Sequence, residues 1–368
     1  MKCLAKCCKT GTIILDSSST QFRKKLISWF ESNQRSLPWR ETNDPYHIWV
    51  SEVMLQQTQV RKVIEYYQRF LIKFPTLEQL ANANLQELLK EWEGLGYYAR
   101  ARNLRKAAQI VVSDMGGQIP TDYNTFRKLP GVGDYTAAAV QSIAFGHSYA
   151  AVDGNVKRVI ARIFMLDSPV NTTRSQGLFQ EKANFLLDED QPSTFNQAMM
   201  ELGAITCRPK SPLCTICPVH MFCAAFQTAR QDQFPLRLQR KPIPSYHLVV
   251  AVIHKGDQIL ITQRQTDGLL GGLWEFPNGE INNTEDPPED VCRQIIQEDF
   301  NLQIEVTNFL TQTKHTYTHF KTTMEVFECR YQSGKIVLGQ AQDYRWIKTD
   351  QINQYPLIGA NHKFLSLI

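Results

Sequence analysis

The sequence has no apolar run approaching the roughly 18 residues that a membrane-crossing helix needs. That absence argues against an integral helical membrane protein. It also has no low-complexity block, and 43% of its residues are hydrophobic, enough for packed cores. Excess charge is scarce: 40 Lys and Arg face 36 Asp and Glu, leaving +4. Such a balance permits a nucleic-acid partner without demanding one. The cysteines, nine in all, are odd in number and unevenly placed. Four lie between Cys207 and Cys223, three lie in the first segment, and Cys292 and Cys329 stand alone. This pattern suits a metal or cluster site in a reducing compartment better than a disulfide scaffold. The first segment carries Lys2, Lys6 and Lys9 but neither a secretory apolar core nor an Arg-rich transit pattern. Residues 1–19 read as a disordered tail.

At 368 residues, two domains are the starting expectation. The pattern is helical from residue 20 to about 226. Ser19 or Thr20 can cap a helix whose apolar residues Phe22, Leu26, Trp29 and Phe30 recur at helical spacing. Further amphipathic stretches are predicted at 47–74, 85–93, 98–115, 123–129, 135–145, 156–164 and 195–202, punctuated by Gly and Pro. Residues 227–245 include a basic segment with three prolines and read as an extended linker. Beyond it come short β-type runs at 247–254, 258–263 and 324–331, with one helical segment at 288–300. The predicted fold is thus a mainly α N-terminal domain, 20–226, followed by an α+β C-terminal domain, 246–368.

The cysteine run Cys207-x6-Cys214-x2-Cys217-x5-Cys223 puts four thiolates in one short segment. Soft thiolates suit tetrahedral zinc or an iron–sulfur cluster, and ligand identity alone does not separate the two. The string Leu129-Pro-Gly-Val-Gly-Asp-Tyr-Thr136 is a turn between two helical patterns. Gly131 and Gly133 permit a tight turn and close approach of backbone N–H groups to a phosphate, aided by the following helix N-terminus. Asp153, in Ala151-Val-Asp-Gly-Asn-Val-Lys157, sits just before a helical run. That position is expected to favour its ionised form and lower its pKa. Glu52 sits among bulky apolar residues in Ile48-Trp-Val-Ser-Glu-Val-Met-Leu55. Desolvation is expected to raise its pKa. Two carboxylates with opposed settings make an acid-and-stabiliser pair suited to cleaving an N-glycosidic bond through an oxocarbenium-like state.

These strings, with Leu-Pro-Trp-Arg40, Ser-Glu-Val-Met-Leu-Gln-Gln-Thr58 and Glu-Gly-Leu-Gly-Tyr-Tyr98, resemble the MutY family of adenine DNA glycosylases. That family lies in the helix-hairpin-helix, endonuclease III-like superfamily. The resemblance implies a six-helix lobe and a cluster lobe holding a [4Fe-4S] group on Cys207, Cys214, Cys217 and Cys223. It implies that Glu52 protonates adenine at N7 and Asp153 stabilises or captures the sugar cation, with Tyr135 and Asn155 assisting. Trp39, Arg40, Leu55 and Gln197 fall where the family contacts the flipped adenine. Gln57 and Tyr97 match residues that wedge beside an oxidised guanine. Superfamily members that also nick the backbone carry a lysine where this chain has Tyr135, so hydrolysis without nicking is expected. The implied partner is double-stranded DNA with A:8-oxoguanine or A:G mispairs, bound by a cytoplasmic monomer with no membrane contact.

The segment Gly279-x5-Glu285-x7-Arg293-Gln-Ile-Ile-Gln-Glu298 follows the Nudix box in outline. Gln294 and Gln297 replace two glutamates, and Phe300 stands where glycine is wanted. A hard divalent ion needs anionic oxygen ligands, so a Nudix-like fold without Nudix hydrolysis is the reading. In the family, this domain reads the 8-oxoguanine strand; within His315-Thr-Tyr-Thr-His-Phe320, Thr318 and His319 take the contacting places. Three other readings remain: an endonuclease III-like enzyme for oxidised pyrimidines, a Nudix pyrophosphatase with a DNA-binding helical domain, and a non-catalytic DNA-binding or redox protein that uses the cluster.

Overall fold

The computed structural model describes residues 16–239, 242–282 and 286–368. The helical region comprises α1 (Asp16–Asn33), α2 (Pro45–Leu55), α3 (Val60–Lys73), α4 (Leu77–Asn82), α5 (Leu85–Glu91) and α6 (Ala99–Asp114). It continues with α7 (Tyr123–Arg127), α8 (Asp134–Phe145), α9 (Gly154–Phe164), α10 (Gln176–Leu186), α11 (Pro192–Glu201) and α12 (Ala224–Gln227). Helix α1 begins at Asp16, so the expected tail is too long by four residues and Ser19 is a buried helical residue, not a cap. The rest of the expected tail lies outside the described residues. From α1, Phe22, Leu26 and Phe30 pack with Val156, Val159 and Ile160 of α9, Phe179 of α10, and Phe195 and Met199 of α11. Full burial of one such side chain contributes about 1.5–3 kcal/mol.

The expected helix at 47–74 is two helices. Asp44 caps α2 by accepting from the backbone N–H groups of Tyr46 and His47, and Pro45 fits the first helical position. The helix stops at Leu55, and Gln57 takes φ 58°, a left-handed conformation that continues neither helix. The break falls on the polar run Gln56-Gln57-Thr58-Gln59, which the reading as one helix passed over. Helix α2 is buried nearly all round, with Trp49 edge-on to Phe126 of α7 at 5.1 Å between ring centres. Helix α11 runs into a π-turn, Leu202–Thr206. There a Cβ on Gly203 would stand 2.6 Å from Cβ of Asn155, which explains the glycine.

The segment at 227–245 is not wholly an extended linker. It contains a 3-10 turn at Gln231–Gln233, and Phe234 is buried. Val170 N–H donates to the Leu236 carbonyl, and Arg162 donates to those of Gln231 and Phe234. Arg240 and Lys241 lie outside the described residues.

The C-terminal region is a seven-stranded sheet with one long helix, α13 (Pro288–Phe300). Its strands are β1 (Ser245–Lys255), β2 (Gln258–Arg264), β3 (Trp274–Glu275), β4 (Asn278–Glu280), β5 (Leu302–Thr316), β6 (Lys321–Gly334) and β7 (Ala341–Lys348). The order is β3-β2-β1-β6-β5, with β4 also paired to β1 and β7 to β2. The β1–β6 pair is parallel; the others are antiparallel. Cys292, Ile296 and Phe300 of α13 pack on Val249, Ala251, Ile253 and Phe327 of the sheet. A Cβ on Gly279 would meet Ile295 of α13 at 2.7 Å, so close packing of strand and helix accounts for that glycine. Glu285, the second expected box residue, lies outside the described residues. Gln294 bonds to Glu298 across one helical turn, and Gln297 bonds to Gln303, so these side chains pair with one another.

Contacts divide the described residues into two compact units, and the division is not at the linker alone. One unit lies within Met1–Gln68 and Ile110–Arg240, the other within Arg69–Gln109 and Lys241–Ile368. In the second, Trp274 Nε1 donates to Gln86 at 2.8 Å and Arg102 donates to the Gly271 carbonyl. Glu93 accepts from Lys90, Leu357 N–H and His362. Burial pushes the Glu93 carboxyl up, but these donors hold it below its ordinary value.

Candidate active site

A cavity of about 810 Å³ opens in the first unit, within the range of small-molecule sites. Glu52, Tyr135, Asp153 and Asn155 line it together with Trp39, Arg40, Leu55, Gln57 and Gln197. Gly131 and Gly133 lie at the same cavity. The structure thus brings together every expected residue of the catalytic and adenine-contacting sets. Tyr97, Thr318 and His319 belong to the second unit. There the Tyr97 and Thr318 hydroxyls share a short hydrogen bond, Tyr97 takes φ 51°, and Thr318 and His319 are exposed. Trp92 and Tyr98, by contrast, are core residues.

Glu52 is 4% exposed. Burial raises its carboxyl to about 7; the Tyr135 hydrogen bond and Arg40 oppose that rise, while Asp153 adds to it. Tyr135, from the first turn of α8, donates its hydroxyl to Glu52 Oε2 and lies 3.4 Å from the Met200 sulfur. Its phenol is pushed well above its ordinary value by burial and by the two carboxylates.

Asp153 caps α9: Val156 N–H donates to Oδ1 at 2.7 Å and Asn155 Nδ2 donates to Oδ2 at 2.9 Å. The expected lowering of its pKa is corrected. Burial outweighs these bonds and the nearby Arg158 charge, and the carboxyl lies above its ordinary value. The roles of the pair still differ in hydrogen bonding. Asp153 receives donors on both oxygens, which favours its anion, whereas Tyr135 is the hydroxyl donor at Glu52.

Arg35 and Glu201 are site residues that the sequence reading missed. Glu201, 1% exposed, accepts from Arg35 Nε and Nη2 at 2.7 Å each, from Arg35 N–H at 3.1 Å and from Arg40 Nη2 at 3.0 Å. Burial pushes its carboxyl up, but the two guanidiniums hold it down at about 2. Only the pairing of Arg35 with Arg40 in one short segment hinted at this; nothing in the spacing ties either to Glu201.

The hairpin turn takes φ 76° at Gly131, a left-handed conformation that glycine adopts at no cost. Gly133 is the N-cap of α8 with no side-chain bond, and no atom stands within 4 Å of where its Cβ would be. The backbone is therefore open to close approach.

Cys207, Cys214, Cys217 and Cys223 line one small cavity with Arg162 and His220. Among the described residues, no group of three or more His, Cys, Asp or Glu side chains is arranged to hold a metal ion. Burial pushes Cys217 up to about 12 and Cys223 up to about 11, so these thiolates need a cation beside them. Arg162 donates to Cys207 Sγ at 3.2 Å and otherwise to backbone carbonyls. Arg158 bonds the Cys207 carbonyl and also Asn155 Oδ1, so hydrogen bonds run from this loop to Asp153.

Two family models match. The HhH-GPD superfamily base excision DNA repair protein model covers residues 50–183, and the NUDIX domain model covers residues 248–367. Among curated relatives, the adenine DNA glycosylase of Homo sapiens is 36% identical over 394 residues, 91% of this chain and 71% of that protein. The chain belongs to the adenine DNA glycosylase family. The relative of the same name from Buchnera aphidicola subsp. Baizongia pistaciae is 32% identical, over 81% of this chain and 83% of its own. A solved thermostable thymine-DNA glycosylase is 31% identical with a TM-score of 0.54, covering 58% of this chain and 98% of that one. A helical HhH-GPD domain followed by a Nudix-like domain is therefore the architecture of this family member.

Proposed function

We propose that the chain is a monofunctional glycosylase. As a monomer on duplex DNA, it hydrolyses the N-glycosidic bond of adenine mispaired with 8-oxoguanine or guanine. The observation that carries this reading is the convergence of Glu52, Tyr135 and Asp153 on one cavity, with a carboxyl near neutrality in its titration. Unstacking the adenine costs a few kcal/mol, part of which Gln57, at the cavity, would offset by filling the space beside the partner base. The base enters between Trp39, Leu55, Arg40 and Gln197. Glu52 gives its proton to adenine N7, and the C1′–N9 bond breaks with its electron pair leaving on adenine. Asp153, oriented by Asn155 and Val156 N–H, stabilises the sugar cation through its negative charge. Water then adds to C1′ and yields a proton to a carboxylate of the pair.

Tyr135 stands where a nicking enzyme would carry an amine nucleophile, which supports hydrolysis alone. Gly131, Gly133 and the start of α8 would grip the phosphate backbone without reading sequence. Cys207, Cys214, Cys217 and Cys223 would hold a [4Fe-4S] cluster. A single tetrahedral zinc needs four sulfurs about 2.3 Å from one centre. The Cys207-x6-Cys214-x2-Cys217-x5-Cys223 spacing instead resembles the cluster loop of endonuclease III-type glycosylases, which favours iron and sulfur. When bound, the cluster ties residues 207–223 into one ordered loop.

The test is single-turnover assay on duplexes pairing adenine with 8-oxoguanine, guanine and thymine. Free adenine from the first two, with an intact backbone and no borohydride-trapped protein–DNA adduct, is the expected result. A trapped adduct would instead point to the oxidised-pyrimidine chemistry of a nicking enzyme. Changing Thr318 and His319 to Ala is expected to reduce the preference for 8-oxoguanine over guanine about tenfold, the worth of one good hydrogen bond, while sparing the bond-breaking rate. An unchanged preference would make that loop passive.

A further inference from the structure

Two guanidiniums line the adenine cavity close to an acid that must keep its proton. Arg40 donates to Glu201 and to the Arg35 carbonyl, and its charge favours the ionised form of Glu52. Arg35 is held by two parallel bonds to Glu201 and lines the same cavity. A bidentate arginine–carboxylate pair fixes geometry as well as charge. Glu201 comes from the last turn of α11, and both arginines from the segment before α2, so the contact ties two distant stretches of chain.

We infer that Glu201 is a positioning residue that neutralises Arg40, so that this charge does not strip the proton from Glu52. The inference rests on the adenine glycosylase reading and deepens it. The groups facing Glu52 are few. Tyr135 of α8 is a neutral phenol, and Asp153 ahead of α9 favours the protonated acid. Asp134 of α8 is engaged by Arg127, and Lys157 of α9 lies beside Asp153 and bonds Gln176. Arg40 is the cation acting on Glu52, and Glu201 is its carboxylate partner. With Glu201 the three charges sum to +1; without it two unpaired cations remain at the cavity, Arg40 the better buried. A nearby opposite charge stabilises a carboxylate and moves its titration to lower pH.

The test is the pH profile of single-turnover adenine release. Wild-type protein is expected to lose rate as pH rises through about 7, where Glu52 gives up its proton. Glu201→Gln is expected to move that falling limb about one pH unit to the acidic side. Glu201→Asp keeps the charge and should leave the limb near its wild-type position. If Glu201→Gln folds poorly, the Arg40→Met/Glu201→Gln double variant leaves no unpaired Arg40. Its limb should then lie at or above that of wild type. An unmoved limb in Glu201→Gln with rate lost equally at every pH overturns the inference, as does an acid-shifted limb in the double variant. Wild-type protein that releases no adenine from any duplex overturns the adenine reading instead, so the two failures are distinct.

Discussion

Replacing Glu52 by Gln is expected to lower the single-turnover rate of adenine release by about 10²- to 10⁴-fold, the usual worth of a positioned general acid. Glutamine keeps the shape and can accept the Tyr135 hydrogen bond, but it has no proton to give at N7. The loss should arrive without loss of stability. A carboxyl raised to about 7 by burial contributes stability that is complete below its unfolded value near 4.5 and is gone above pH 7. Removing it therefore leaves the melting temperature at neutral pH unchanged or higher. Asp153→Asn is expected to cost at least as much rate, because the sugar cation loses its counter-charge while the cap bond from Val156 N–H survives. Near-wild-type adenine release by both variants, with duplex binding intact, would transfer the chemistry to other residues.

The other large effect concerns the cysteine loop. Metal binding by a structural thiolate site is folding free energy, on the order of 10 kcal/mol for a site that orders its own segment. If the loop holds the proposed cluster, wild-type protein is expected to be yellow-brown, and Cys217→Ser to abolish that colour, lower the melting temperature by about 10 °C or more and weaken duplex binding. The measurements are the visible absorption spectrum, iron and zinc content, and a thermal melt. A colourless wild-type protein holding one zinc per chain would refute the cluster assignment.

Much of this site is legible because its chemistry sits in short strings. Glu52 among apolar residues of α2 and Asp153 at the start of α9 are local patterns, and the cysteine spacing is contained in 17 residues, Cys207 to Cys223. What was misread depends on the rest of the fold. The helix N-terminus does bond Asp153, as local reasoning expected, but burial of its carboxyl reverses the net shift. Glu201 looks like any helical acid until its arginine partners, 161 and 166 residues away, are placed beside it. Strand β5 was missed because its second half is rich in Thr, Asn and Gln and its pairing with β6 shifts register three times, which breaks the alternation. The break between α2 and α3 rests on the backbone of two polar residues, ψ 111° at Gln56 and φ 58° at Gln57.

The grouping of Arg69–Gln109 with the C-terminal residues also bears on how the chain is made. During synthesis, α4, α5 and the greater part of α6 emerge long before the C-terminal partners of Gln86, Lys90, Glu93 and Arg102 exist. Until then Lys90 and Glu93 have each other, while Gln86 and Arg102 await Trp274 and the Gly271 carbonyl. A chain cut at the linker would lack those partners, and its α5 and α6 are expected to be less stable than in the full chain.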